Sequence, residues 1–76
     1  MFTTKAMPVS DFAGVWVATA TEHTTGRQVA GPGTNNEQAA HEMAAKAWLT
    51  RYAPNSTGAK IVMRPRIYAL LWEVKA

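Results

Sequence analysis

One stretch, Thr34 to Arg51, limits what this chain can become, because it alone reads as a helix in 76 residues. Gly31-Pro32-Gly33 breaks the chain just ahead of it. Thr34-Asn35-Asn36-Glu37 fits a capping box, with the Thr34 hydroxyl reaching the backbone at Glu37 and the Glu37 carboxylate reaching back. Asn35 with Gln38 serves the same purpose one residue later. Helix formers follow, and Ala40, Met43, Ala44, Ala47 and Trp48 share one face. Arg51 suits the negative end of the helix dipole, Pro54 stops the helix, and Asn55 to Gly58 makes a loop. The small alanines let such a helix lie close on a sheet, with Trp48 and Met43 as its bulky anchors.

The rest of the chain reads as strands. Residues 14–30 form a hairpin: Val15 to Glu22 is β-branched and aromatic, His23 to Gly26 turns, and Arg27 to Ala30 returns. Its first strand carries Val15, Val17, Thr19 and Thr21 on one face and Trp16, Ala18, Ala20 and Glu22 on the other. Residues 60–75 form a second hairpin joined through Arg64-Pro65-Arg66, with Tyr68, Leu70, Trp72 and Val74 on one face and Ile67, Ala69, Leu71 and Glu73 on the other. Residues 1–13 show no clear period and contain Pro8, so they read as an irregular lead-in with at most a short edge strand. The expected architecture is a single α+β domain, β-β-α-β-β, with one helix packed on one face of an antiparallel sheet.

A single helix covers a single face. The other face then exposes Ile67, Ala69 and Leu71 with Val15 and Val17 or their neighbours, the pattern of a partner or dimer interface. The alternative is that the N-terminal segment, with Phe2, Met7 and Phe12, folds across it. A chain this short buries only about 60% of its unfolded surface, so each large apolar residue counts. It has no cysteine, which removes disulfides and thiolate chemistry. Hydrophobic residues at 47% against charged residues at 17% place it among globular chains.

Net charge is +3, unevenly spread. Residues 1–50 hold Lys5, Arg27 and Lys46 against Asp11, Glu22, Glu37 and Glu42. Residues 51–76 hold Arg51, Lys60, Arg64, Arg66 and Lys75 against Glu73 alone, so the basic character belongs to the C-terminal third. No apolar run approaches the roughly 18–20 residues of a membrane span. Ala18-Thr19-Ala20 mimics a signal cleavage site only superficially, and Asn55-Ser56-Thr57 matches a glycosylation sequon in what reads as a plain loop. The expected compartment is the cytoplasm.

Catalytic constellations are missing. His41-Glu42 opens like a zinc-protease helix, but the second histidine would fall at Ala45. His23 and His41 read as surface histidines, and the five carboxylates show no paired spacing. Gly31 to Thr34 lacks the Lys-Ser/Thr ending of a phosphate loop and the further glycine of a dinucleotide fingerprint. The reading is therefore a non-enzyme with no catalytic residue, metal site or cofactor. The candidate partner-binding set is Arg64 and Arg66, presented around Pro65 at a hairpin tip, extended by Lys60, Arg51 and Tyr68. Such guanidiniums fork onto phosphates or carboxylates, although a solvated turn would carry them too. Trp16, Trp48 and Trp72 read as core, with Trp16 the most exposed.

Gly31 to Thr34, followed by Ala39 and then Ala44-Ala45-Lys46-Ala47-Trp48-Leu49, resembles the last third of the double-stranded-RNA-binding domain. Asn36, Glu37 and Ala40 stand where that family places phosphate-gripping lysines, so RNA binding through this helix is not expected. Gly14-Val15-Trp16-Val17, Ala39 to Ala47 and Ile67 to Val74 together look like the small phage-encoded anti-CRISPR proteins, the inhibitors of type I systems in particular. That resemblance implies a binding protein that sits on a host surveillance complex and blocks it sterically, through Arg64, Arg66 and an apolar patch. A small nucleic-acid-binding module using the basic hairpin is the alternative, and a homodimeric phage structural subunit a further one.

Overall fold

The computed structural model describes residues 1–9 and 14–76. Five strands and one helix follow in the order β1 (Phe2–Pro8), β2 (Trp16–Glu22), β3 (Gln28–Ala30), α1 (Glu37–Tyr52), β4 (Gly58–Arg66) and β5 (Ala69–Lys75). The strands make one antiparallel sheet, ordered β3-β2-β1-β5-β4, with α1 against one face. The α+β architecture read from the sequence is the one observed, with one strand added. No helix among the described residues is long and apolar enough to cross a membrane.

The added strand corrects the reading of residues 1–13 as an irregular lead-in. Phe2–Pro8 is the central strand, pairing with β2 from Phe2↔Glu22 to Pro8↔Trp16 and with β5 from Phe2↔Trp72 to Lys5↔Ala69. Its alternation is hard to see because the inward residues are Phe2, Thr4 and Ala6, one of them polar. Pro8 ends the strand rather than interrupting it. Phe12, part of the alternative in which the N-terminal segment crosses the second face, lies outside the described residues. Phe2 does the opposite of crossing that face: it is wholly buried on the helix side, its ring 4.5 Å from Trp48 and 6.1 Å from Trp72, stacked with both.

The helix differs in its cap and in its buried face. Asn36 is the N-cap, its Oδ1 accepting from the Ala39 N–H at 2.7 Å, while the Thr34 hydroxyl donates to the Asn36 carbonyl at 2.8 Å. Neither of the expected capping boxes forms, because Thr34 is held in a bridge to Trp16. Ala40, His41, Ala44, Ala45 and Trp48 face the sheet, whereas Met43 is exposed. The alanines bring the helix very close to the chain that precedes it. A Cβ added at Gly31 would meet the Ala44 backbone nitrogen at 2.8 Å, so only glycine fits there.

His41 is not a surface residue. It is fully buried and held by Thr4, whose Oγ1 lies 2.7 Å from His41 Nδ1 and accepts from the Trp72 indole N–H at 2.7 Å. The indole nitrogen only donates, so the Thr4 proton is free to go to Nδ1, leaving the imidazole proton on Nε2. That nitrogen faces Glu37 Oε1 at 3.5 Å, and neither atom has a hydrogen-bond partner. Burial pushes the His41 pKa below its ordinary value of 6.5, with Glu37 opposing the shift and the Arg64 charge adding to it.

Two outcomes are expected. Gly31→Ala lowers the urea midpoint by the equivalent of about 1–3 kcal/mol, the usual cost of overpacking. Gly33→Ala, which meets only the Val15 side chain at 3.3 Å, changes it little. The second outcome concerns pH. The unfolded chain takes up a proton on His41 more readily than the folded one, so stability is full above about pH 6.5 and declines as pH falls towards the lower folded pKa. Urea midpoints measured across that window should slope for the parent chain and flatten in His41→Leu; equal slopes would show that another group titrates.

Candidate partner interface

Strand alternation divides the sheet into two chemically different faces. Phe2, Thr4, Ala6, Ala18, Ala20, Leu70 and Trp72 fill the helix side. On the opposite face, register sets two rows across the strands: Thr21, Thr3, Leu71 and Met63, then Lys5, Ala69 and Arg66. These residues, with His23 and Pro65, line a shallow groove of about 490 Å³. No element among the described residues packs over it.

Lys5 and Arg66 stand on either side of Ala69, with their backbones two strand spacings apart, roughly 10 Å. Ala69 is only 2% exposed although it belongs to the uncovered face, so its neighbours shield it while their charged ends reach water. The Thr3 hydroxyl contacts His23 Nε2 at the far end of the groove. Alternation places Lys5, Lys60, Arg66 and Lys75 on this face against Glu73, and Glu73 is matched by Lys60 at 3.8 Å. Glu22, beside the groove in sequence, is engaged elsewhere. It accepts from the Thr24 hydroxyl at 2.9 Å, the main cause of its lowered pKa, and lies 4.0 Å from Arg27.

The structure does not gather the five candidate partner-binding residues, Arg64, Arg66, Lys60, Arg51 and Tyr68, on one surface. The hairpin tip is Ile67-Tyr68, not Arg64-Pro65-Arg66, and Tyr68 takes a positive φ of 63° there. Its ring tilts against Trp16 at 5.4 Å and its carbonyl accepts from the Ala6 N–H at 2.9 Å, while the side chain stays exposed. Between Met63↔Leu71 and Arg66↔Ala69 the register shifts by one residue. That bulge parts the two arginines: Arg66 lines the groove, while the charge of Arg64 acts on His41 on the helix side. Arg51 lies at the end of α1, its Nε donating to the Tyr52 hydroxyl at 3.2 Å, with Arg27 over the same ring at 5.0 Å. Of the five, only Lys60 and Arg66 share the open face.

Lys5, Thr3, Thr21 and His23 are the members the sequence reading passed over. The signal for Thr3 and Lys5 was the alternation of Phe2 to Ala6, which a buried threonine obscures, whereas Thr21 already shared a face with Val15 and Val17. Among the described residues no tryptophan, tyrosine or phenylalanine lines the groove, whose aromatic ring is the imidazole of His23. Among the described residues no cluster of histidines and carboxylates could hold a metal ion. No protein-family model matches the chain, and neither a curated protein nor a solved structure is significantly similar to it.

Proposed function

We propose that this chain is a non-enzymatic binding protein that seats the open face of its sheet on a partner and blocks that surface sterically, the mode implied by its resemblance to type I anti-CRISPR proteins. The observation that carries the reading is the groove flanked by Lys5 and Arg66, over which no described element packs, with exposed Met63 in its lining. Cations and aliphatic carbons side by side supply both steering and contact area. A second reading, binding to nucleic acid, is favoured by the excess of lysine and arginine on the same face. Against it, the described residues put no tryptophan, tyrosine or phenylalanine in the groove on which single-stranded bases would stack.

The test is affinity capture from cells that carry an active type I system, half of each sample treated with nuclease, using the parent chain and the double variant Lys5→Glu with Arg66→Glu. Exposed charge reversals of this kind change stability by little. The surveillance complex is expected in both halves with the parent and in neither with the variant. Plaquing of a targeted phage should rise when the parent chain is expressed. Absence of the complex together with unchanged plaquing sinks the anti-CRISPR reading. Recovery that vanishes with nuclease, with affinity falling steeply in salt, favours nucleic acid instead.

A further inference from the structure

The groove also constrains the chemistry of what it holds. We propose that its occupant is a short acidic segment of a partner protein, with a carboxylate between Lys5 and Arg66 and an adjacent aliphatic side chain on Leu71 and Met63. This rests on reading the open face as the partner-binding surface.

Three observations converge on that occupant. The first is charge: Lys5 and Arg66 flank Ala69, no carboxylate among the described residues lines the groove, and Glu73, which alternation places on this face, is already paired with Lys60. An anion set between an ammonium and a guanidinium gains charge-assisted hydrogen bonds from both. The second is the floor. Leu71, Ala69, Met63 and Pro65 offer saturated carbon, which suits a leucine, isoleucine or valine side chain, whereas the aromatic ring among the described lining residues, His23, lies at the far end of the groove and already contacts Thr3. Thr3, Thr21 and His23 at the far end supply short polar groups that can pair with a peptide backbone. The third is size. The groove runs from β2 to β4, three strand spacings or roughly 14–15 Å, the span of about four to five extended residues. A second copy of the chain is a poor fit, because it would bring the same excess of cations, Lys5, Lys60, Arg66 and Lys75 against Glu73, to both sides of the contact.

Selection of a randomised octapeptide library on the immobilised protein tests the proposal. The expected consensus pairs aspartate or glutamate with an aliphatic residue. A selected peptide, titrated into the labelled protein, should move the amide resonances of Lys5, Ala69, Arg66 and Leu71. Its affinity should fall about tenfold or more in the Lys5→Glu, Arg66→Glu variant, and the variant should itself select basic peptides. Thermal melts of the two proteins establish that both are folded. A basic or aromatic consensus, no enrichment, resonance shifts confined to the Arg27–Tyr52 side, or displacement of the peptide by oligothymidylate would each overturn it. Failure here is separable from failure of the binding function. If capture still depends on Lys5 and Arg66 while the library returns no acidic consensus, the face binds something else; if capture ignores both residues, the face is not the interface.

Discussion

A single threonine hydroxyl on the central strand holds the two ends of this chain to its helix. Thr4 accepts from Trp72, close to the C-terminus, and bonds His41 in the middle of α1. Remove it and two buried nitrogens lose their partner, a cost on the order of 1–3 kcal/mol for each. Phe2 reinforces the same junction from one pleat away by stacking on Trp48 and Trp72. Because β1 pairs with β2 on one side and β5 on the other, the two hairpins have no sheet contact without it. The core is otherwise built largely from alanines. Those small residues give close approach rather than large buried area, so the few aromatic contacts carry a disproportionate share of the stabilisation.

The use of the N-terminal segment as a strand decides the character of the second face. A segment laid into the middle of a sheet supplies side chains to both faces but covers neither. Thr3 and Lys5 therefore join Thr21, Leu71, Met63 and Arg66 around an open groove, while Phe2 and Thr4 complete the core. The same alternation that buries Phe2, Thr4 and Ala6 presents Thr3 and Lys5 to the candidate interface. Stability and recognition are thus coupled through one seven-residue strand.

Charge is sorted by equally local geometry. A one-residue register shift next to Pro65 sends Arg66 to the groove and leaves Arg64 on the side of His41. Bulges on edge strands also discourage further strand pairing, which matters here because β4 presents exposed Ile61, Val62 and Met63. The basic C-terminal third is consequently not one patch. Its cations are dispersed over the open face, the helix side and the ring of Tyr52.

Much of the architecture was legible in the residues themselves. The Gly-Pro-Gly break, the alanine run and Pro54 bounded the helix to within a few residues, and the alternation in Trp16 to Glu22 and Leu70 to Val74 assigned the correct faces. These are local signals, set by backbone preference and by a period that a strand or helix cannot evade. What lay beyond them depended on contacts between residues far apart in sequence. Histidine and threonine look like surface residues until Thr4 and His41, 37 positions apart, satisfy each other inside the core. Met43 looked like a core anchor, but the helix buries Ala40, His41, Ala44, Ala45 and Trp48 and leaves Met43 exposed. Lys5 and Arg66 become neighbours only because β1 is inserted beside β5. Local sequence determined which elements form and which way their side chains alternate; only the tertiary structure decided which strand lies at the centre, and with it which residues the open face displays.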